Sequence, residues 1–332
     1  MTRTTQSERS GPMSFHVYED LGHGITRIDT AMVREELAAC YLMRGGEDYA
    51  IIETGTHHTV PIILDLLERR GIDRGRVRYV IPTHVHLDHA GGVGGLMEAL
   101  PDATLLVHPR GARHMIDPSK LVAGATAVYG EAAFRKMYGE ILPVPEARVR
   151  TMNDGDEIDL DGRRLVFLDT PGHAKHHFCV HDPASGGVFT GDTFGLSYPP
   201  LTTEKGPFIL PTTTPVQFDP PALKDSIARL LALEPQRMYL THYGPVENPR
   251  PLGERLRGMV DDYVDLAERV AAGHGGEDLE PALRTALRDY LFRRAREHGC
   301  EQDDERLDAI LGMDVKLNSQ GLAVWLEARK AA

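Results

Sequence analysis

Thr83-His84-Val85-His86-Leu87-Asp88-His89-Ala90-Gly91-Gly92 places three imidazoles and one carboxylate within six residues, directly after a predicted strand. Imidazole nitrogen and carboxylate oxygen are the ligands that borderline divalent metals such as zinc prefer. In an extended segment the side chains of His84 and His86 point the same way, so they can hold one ion. Asp88 and His89 lie where the chain turns and can face a second ion beside the first. The pattern therefore indicates a metal site at a strand end.

Three further polar residues follow later apolar segments. His173, Asp192 and His242 each come directly after a short apolar segment that predicts a strand. Each is a weak signal alone, because Gly-Asp and Thr-His pairs are common in turns. Their regular placement at strand ends makes them further ligand candidates. A histidine-rich surface loop and a set of hydrogen-bonded core histidines are the alternative explanations.

The order of these motifs resembles that of the metallo-β-lactamase superfamily. HxHxDH at 84–89 is followed by Pro171-Gly172-His173, by Gly191-Asp192 and by a final histidine, and the resemblance covers about residues 20–250. It implies an α/β fold, an αββα sandwich with the site at one edge of two packed sheets and with added C-terminal helices. It also implies a ligand set for two metals: His84, His86 and His173 for the first, Asp88, His89 and His242 for the second, and Asp192 bridging both. Glu53 stands where the family more often has Asp, and would accept a hydrogen bond that orients a ligand.

The resemblance implies a binuclear metal-dependent hydrolase. Two divalent ions, zinc with iron or manganese as alternatives, lower the pKa of a shared water, and the bridging hydroxide attacks a polarised carbonyl or phosphoryl group. Asp88 or Asp192 would position that hydroxide and carry its proton. The expected substrate is a small ester-like molecule: a lactone, a thioester or a phosphodiester. His177, Tyr198 and Tyr243 are the candidates for lining its pocket.

Two other functions remain open. The first is a mononuclear iron oxidoreductase of the persulfide dioxygenase type, which would use His84 or His86 with His173 and Asp192. The second is a metal-binding regulatory module with low activity. A flavodiiron protein is disfavoured, because that family has Glu at the position of His86.

The composition limits the class of partner. The 332 residues carry a formal net charge of -12, which argues against a general binder of nucleic acid or of a membrane surface. Three widely spaced cysteines form no CxxC pair, so we expect no disulfide framework and a cytoplasmic location. The expected partner is a small-molecule substrate, and the C-terminal helices are candidates for a pocket wall or a homodimer contact.

The chain pattern predicts three parts. Residues 1–13 are predicted to be a disordered tail, residues 14–251 the catalytic domain, and residues 252–332 a C-terminal helical segment. The predicted helices of this segment are at 252–272, 279–298, 303–311 and 317–328. A helical insertion at about 110–139 and a proline-rich loop at 197–221 are expected to cover the pocket.

Overall fold

The computed structural model describes residues 18–213, 216–274 and 279–330 of the chain. The tail predicted at residues 1–13 lies outside the described residues. Within them, two mixed β-sheets pack face to face and helices lie on their outer surfaces, which makes four layers. This arrangement confirms the predicted αββα sandwich.

The first sheet has seven strands in chain order. Strands β1 to β4 are antiparallel to one another, and β4 to β7 are parallel. Their bounds are β1 Tyr18–Asp20, β2 Ile25–Asp29, β3 Ala39–Gly45, β4 Asp48–Ile52, β5 Val77–Ile81, β6 Thr104–Val107 and β7 Val149–Thr151.

The second sheet has six strands in the order β13-β12-β11-β10-β9-β8. Only the β11–β12 pair among them is parallel. Their bounds are β8 Glu157–Leu160, β9 Arg163–Asp169, β10 Phe178–Asp182, β11 Gly187–Gly191, β12 Arg237–Leu240 and β13 Gly244–Glu247. The five residues of β11 are all buried, as expected for a central strand covered on both faces.

The helices lie outside the sheets. Their bounds are α1 Val60–Arg69, α2 Leu87–Ala90, α3 Val93–Ala99, α4 Pro109–Ile116, α5 Ser119–Tyr129, α6 Glu131–Tyr138, α7 Pro220–Ala232, α8 Pro249–Gly273, α9 Glu280–His298 and α10 Asp304–Lys330. One apolar core lies between the first sheet and α1 and α3, and includes Ile63 and Leu96. The other fills the space between the sheets and continues under α8, α9 and α10.

Local sequence signals account for several helix ends. The carboxylate of Asp219 accepts a hydrogen bond from the backbone N–H of Ala222 and caps α7, with Pro220 in the first turn. Gly299 follows the end of α9 with φ +96°, a left-handed conformation that glycine adopts without strain. The segment at 110–139, predicted to be a helical insertion, consists mainly of three short helices, α4 to α6.

The C-terminal prediction was wrong in one respect. The two helices expected at 303–311 and 317–328 are a single helix, α10. Gly312 and Asp314 interrupt the apolar pattern in the sequence, but a glycine inside a helix costs only about 1 kcal/mol relative to alanine, and packing against α9 and α8 outweighs it.

Two features bear on the environment of the chain. Cys40, Cys179 and Cys300 are buried and unpaired. Among the described helices, none combines the length and the apolar character that crossing a membrane requires.

Candidate metal centre

The predicted ligands come from strand ends that meet at one edge of the sandwich. In the first sheet, Ile52 of β4 lies opposite Ile81 of β5 in a parallel pair, so Glu53 emerges beside the loop that carries the HxHxDH motif. In the second sheet, Gly191 of β11 lies opposite Leu240 of β12, also in parallel. Asp192 and His242 follow these strands, and His173 follows β9. The two sheets thus present their polar strand ends to each other.

The first group of ligand atoms consists of three imidazole nitrogens and one carboxylate oxygen. His84 Nε2 lies 2.9 Å from His86 Nδ1, and His173 Nε2 lies 3.1 Å from the same atom. Asp192 Oδ2 lies 3.3 Å from His173 Nε2. The side chains of His84 and His173 are fully buried, so solvent does not reach the group from the side of these two rings.

The second group lies beside the first and shares Asp192. Asp88 Oδ2 lies 3.5 Å from His89 Nε2 and 3.4 Å from His242 Nε2. Asp192 Oδ1 lies 3.3 Å from His89 Nε2 and 3.6 Å from His242 Nε2. Each oxygen of the Asp192 carboxylate therefore faces a different group.

These distances fit metal coordination. Ligand atoms about 2.0–2.2 Å from a tetrahedral ion are separated from each other by about 3.3–3.6 Å. The contacts that involve carboxylate oxygens fall in that range, and the imidazole contacts in the first group are slightly shorter. His89 Nε2 and Asp192 Oδ1 are buried and have no hydrogen-bond partner in the described part of the chain, which would be costly without a ligand between them. The donor set is thus suited to divalent metal ions.

Contacts on the far side of the rings fix how the imidazoles point. His89 Nδ1 lies 3.0 Å from Glu53 Oε1, and His242 Nδ1 lies 2.8 Å from the carbonyl oxygen of Leu37. Because an acceptor at Nδ1 requires the proton to be there, the Nε2 lone pair is left for a metal. This is the arrangement that metal-ligating histidines use.

Glu53 connects the two sheets at the site. Its buried carboxylate accepts hydrogen bonds from the Thr83 backbone N–H at 3.1 Å, the Thr83 hydroxyl at 2.5 Å and the Thr241 hydroxyl at 3.0 Å, besides the contact with His89. The residue adopts φ +62°, an unusual conformation for a non-glycine residue, directly after β4. The predicted contact between Glu53 and a candidate ligand is therefore present, and the longer side chain reaches it.

Burial and charge divide the histidines into two sets. Burial lowers the pKa of His84 and His86 well below the usual value, and neighbouring imidazoles add to this effect. Burial also acts to lower the pKa of His89, but the carboxylates of Asp192, Asp88 and Glu53 outweigh it and raise that pKa well above its usual value. The imidazoles of His84 and His86 in the first group are therefore neutral nitrogen donors, whereas His89 in the second group is surrounded by carboxylates.

A cavity of about 40 Å³ adjoins the second group. It is lined by Leu37, Asp88, Asp192, Leu196, Tyr198, Thr212, His242, Met313, Asp314, Leu317 and Asn318. The α4–α6 insertion, expected to cover the pocket, contributes none of these residues, and α10 forms that wall instead. The proline-rich loop contributes Tyr198 and Thr212, as expected.

The three predicted pocket residues have different positions. Tyr198 lies in the cavity wall, where its hydroxyl donates a hydrogen bond to Asp314 Oδ1 at 3.0 Å. His177 does not line this cavity, because it is fully buried behind the ligands. Tyr243 does not line it either, because its ring packs under the guanidinium of Arg27 at 4.4 Å.

His177 instead supports the position of Asp192. Its Nε2 accepts a hydrogen bond from the Asp192 backbone N–H at 3.2 Å, while its Nδ1 lies 3.0 Å from the hydroxyl of Thr170 and 3.2 Å from that of Thr193. The adjacent Gly191 has φ +48°, and a Cβ there would lie 2.5 Å from His177 Nε2. The histidine therefore fixes the backbone turn that carries the Asp192 carboxylate.

Sequence reasoning missed Asp314 and Asn318 in the cavity wall. Both are polar residues at the buried positions of α10, where Leu307, Leu311 and Leu322 are the apolar neighbours at helical spacing. Polar residues at positions where the helical pattern expects apolar ones could have indicated a buried polar site on this helix face. The signal was obscured because Asp314 fell between the two predicted helices and Asn318 at the start of the second.

A larger cavity of about 460 Å³ lies elsewhere, along β2 and β3. Its walls include Asp20, Thr26 and Arg70, which are already joined to one another by hydrogen bonds. None of the candidate metal ligands lines it. The chemistry of the chain is therefore concentrated at the smaller cavity.

Several known proteins are similar to this chain. The metallo-beta-lactamase fold-containing protein ST1585 of Sulfurisphaera tokodaii is 27% identical over 259 residues, which are 76% of this chain and 90% of that protein. Its crystal structure superposes with a TM-score of 0.63 at 23% identity, covering 90% of this chain and 98% of that one. The human acyl-coenzyme A thioesterase MBLAC2 is 27% identical over 201 residues (54% of this chain, 67% of that protein). The hydroxyacylglutathione hydrolase of Maricaulis maris is 26% identical over 242 residues (67% and 73%).

The family model named metallo-beta-lactamase superfamily matches residues 33–242. This span runs from the loop after β2 to the last candidate ligand, His242, and so includes every residue of both ligand groups. The match, the αββα sandwich and the paired ligand groups agree, and the chain belongs to the metallo-β-lactamase superfamily.

Proposed function

We propose that the chain is a binuclear metal-dependent hydrolase of a small ester-like substrate. The observation that carries the proposal is the Asp192 carboxylate, whose two oxygens lie 3.3 Å from His173 Nε2 and 3.3 Å from His89 Nε2. These nitrogens belong to different ligand groups, which supports the proposal that this carboxylate would bridge two ions. A mononuclear site would have no use for the second group.

The side chains divide the work of such a site. Bound divalent ions supply Lewis acidity and lower the pKa of water. His84, His86 and His173 would hold one ion and Asp88, His89 and His242 the other, with Asp192 between them. Burial acts to raise the pKa of Asp88, but His89 and His242 outweigh it and keep that carboxylate ionised at neutral pH. Asp88 and Asp192 both line the cavity, where they can orient a water molecule and accept its proton.

The relatives narrow the substrates to test first. Two of them are named for hydrolysis of thioesters or of a glutathione conjugate: an acyl-coenzyme A thioesterase and a hydroxyacylglutathione hydrolase. The cavity is small and partly apolar, which suits an acyl group better than a polymer. Thioesters therefore come first, followed by lactones and phosphodiesters.

Metal analysis separates the binuclear hydrolase from the iron oxidoreductase. Protein purified without chelator or added metal is analysed by elemental mass spectrometry. We expect about two zinc ions per chain, one for each ligand group. About one iron per chain, together with oxygen uptake on a persulfide, would overturn the proposal in favour of the persulfide dioxygenase type.

A hydrolysis panel separates an enzyme from a regulatory module. His86→Ala and Asp192→Ala each remove a candidate ligand, and we expect loss of hydrolysis together with reduced metal content. His58→Ala is the matched control, because His58 is exposed and lies outside both ligand groups. Slow hydrolysis that is equal in the wild type and in all three variants would favour the regulatory module.

The remaining predictions concern the surroundings of the enzyme. Three buried, unpaired cysteines are compatible with the proposed cytoplasmic location. A homodimer formed through the C-terminal helices and the boundary near residue 251 also remain proposals. Sedimentation of the purified chain tests the first, and limited proteolysis tests the second.

A further inference from the structure

The C-terminal helix places a carboxyl group in the wall of the active-site cavity. Asp314 lies near the middle of α10 and lines the same small cavity as Asp88, Asp192 and His242. The residue is 7% exposed, so solvent does not hydrate it freely. A group of this kind in a space of about 40 Å³ lies close to any substrate that reaches the metal ligands.

Only one oxygen of this carboxyl group accepts a hydrogen bond from the residues that the structure describes. Oδ1 accepts the hydrogen bond from the Tyr198 hydroxyl at 3.0 Å. Oδ2 is buried and has no hydrogen-bond partner among the described residues. A buried acceptor without a donor costs about 1–3 kcal/mol, and more when it is charged. A donor supplied by a bound molecule would remove that cost.

The rest of the cavity defines what kind of molecule fits. The acidic residues Asp88, Asp192 and Asp314 line it, and no lysine or arginine does so within the described chain. An anionic group would be repelled by Asp314, whereas a neutral donor would be attracted. The volume accepts a few atoms, so the donor is a single small group rather than a long polar chain.

We propose that Asp314 Oδ2 is a specificity-determining acceptor, which binds a hydroxyl or amide N–H that a neutral acyl substrate carries near its scissile carbonyl. The proposal rests on the hydrolase function proposed above and narrows its substrate class. Leu37, Leu196 and Leu317 surround the remaining carbon atoms of the acyl group. Tyr198 holds the carboxyl group in place through its other oxygen.

A matched pair of substrates tests this acceptor. The probes are the N-acetylcysteamine thioesters of butanoic acid and of 3-hydroxybutanoic acid, which differ by one hydroxyl. We expect the wild type to hydrolyse the hydroxylated thioester with a kcat/KM about 10-fold higher or more. Asp314→Leu, which keeps the number and branching of the side-chain heavy atoms but removes the acceptor, is expected to bring that ratio close to one. Asp314→Asn keeps one acceptor oxygen and is expected to give an intermediate ratio.

The control variant lies on the same helix. Asp308→Asn also removes a carboxylate from α10, but Asp308 faces the surface, where it pairs with Arg288 at 2.5 Å. This variant is expected to keep the wild-type ratio. An unchanged ratio in both Asp314 variants, or a wild type with no preference, overturns the proposal.

A binding measurement keeps this test independent of turnover. The corresponding thioethers, S-butyl- and S-(3-hydroxybutyl)-N-acetylcysteamine, cannot be hydrolysed, and calorimetry compares their affinities for metal-loaded protein. We expect the hydroxylated thioether to bind about 10-fold more tightly to the wild type and without preference to Asp314→Leu. If that preference is found but no thioester is hydrolysed, the hydrolase proposal fails and the acceptor site stands. If the thioesters are hydrolysed but neither assay shows a preference for the hydroxylated compound, the acceptor proposal fails and the hydrolase proposal stands.

Discussion

The metal-ligand cluster and the α10 wall of the cavity are both polar and both buried, but they are built differently. In the cluster, polar groups follow strand ends and are held by further contacts, such as those of Glu53 and His177. In the wall, Asp314 stands within a helix, and one of its oxygens has no hydrogen-bond partner among the residues described at 18–213, 216–274 and 279–330. The cluster resembles a rigid frame for metal ions, and the wall resembles a surface completed by a ligand. Substitutions in the two regions should therefore change the free energy of unfolding by different amounts and in opposite directions.

The largest effect is expected for Glu53→Ala in the cluster. The substitution leaves the Thr83 N–H, two hydroxyls and His89 Nδ1 without their shared acceptor in a buried place. We expect the free energy of unfolding to fall by about 3–5 kcal/mol. Metal affinity should fall by about 10–100-fold, because His89 loses the contact that orients it. Chemical denaturation and metal titration with a competing chelator measure the two effects.

Glu53→Gln is the matched control for that variant. It keeps an amide oxygen that can accept some of the same hydrogen bonds, so both losses should be smaller than for alanine. Equal metal affinity in the wild type and in Glu53→Ala would show that His89 is held by packing alone, and the contrast between frame and wall would lose its basis.

In the α10 wall, by contrast, a substitution of Asp314 is expected to raise the free energy of unfolding at neutral to alkaline pH. Burial raises the pKa of Asp314 from 3.8 to about 6, although His242, the Tyr198 hydroxyl and Arg34 act to lower it. The folded protein therefore holds the proton of the Asp314 carboxyl group more tightly than the unfolded chain does. The resulting contribution to the free energy of unfolding is fully present below about pH 4 and is lost as the pH rises through 6. At pH 8 the cost is about 3 kcal/mol. Asp314→Asn cannot ionise and avoids that cost.

The measurement compares Asp314→Asn with the wild type at pH 5 and at pH 8. We expect the stability of the variant relative to the wild type to improve by about 1–3 kcal/mol between these two pH values, in denaturant titrations on metal-free protein. A difference that does not change with pH would mean that Asp314 is solvated in the folded state. Stabilisation at the expense of substrate selection is the pattern expected of a functional residue.

This contrast also explains what the sequence could predict. The HxHxDH motif, His173, Asp192 and His242 were found because polar residues directly after apolar segments stand out, and the structure brings all of them together. Asp314 and Asn318 were not found because a polar residue within a helix looks like a break or a solvent-facing position. Only the packing of α10 on the cavity shows that this face is buried.

The same reasoning applies to the strands. The strands missed by the sequence patterns, β1, β8 and β13, are three or four residues long and lie at sheet edges. Three or four residues are too few to establish a period of two, even where a strand such as β8 alternates between exposed and buried residues. Central strands such as β5 and β11 were predicted because burial requires apolar residues there.

A third prediction concerns how α10 holds the loop that completes the wall. Asn318 Oδ1 accepts hydrogen bonds from the Thr213 backbone N–H at 2.6 Å and from the Thr213 hydroxyl at 3.2 Å, and Asn318 Nδ2 donates to the Pro211 carbonyl at 3.2 Å. Asn318→Ala should lower the free energy of unfolding by about 1–3 kcal/mol, because the buried Thr213 N–H loses its acceptor. Amide hydrogen exchange at Thr213 should become faster. Asn318→Asp keeps the acceptor oxygen. Slow exchange of the Thr213 amide in the wild type and in Asn318→Asp, with fast exchange in Asn318→Ala, would support this assignment.

The smallest effect is expected on the outer face of the same helix. Arg288 of α9 pairs with Asp308 of α10 at 2.5 Å, but both side chains are at least one-third exposed. Exposed ion pairs contribute about 0.2–1 kcal/mol and are screened by salt. Asp308→Asn should therefore change stability by no more than this, with the difference shrinking between 0.05 and 0.5 M sodium chloride (about the range over which screening becomes strong). A loss as large as that of Asn318→Ala would mean that α10 is held mainly by its surface charges. Because the inner face of α10 carries Leu307, Leu311 and Leu322 in the core, we expect that face to hold the helix and Asp314 in place.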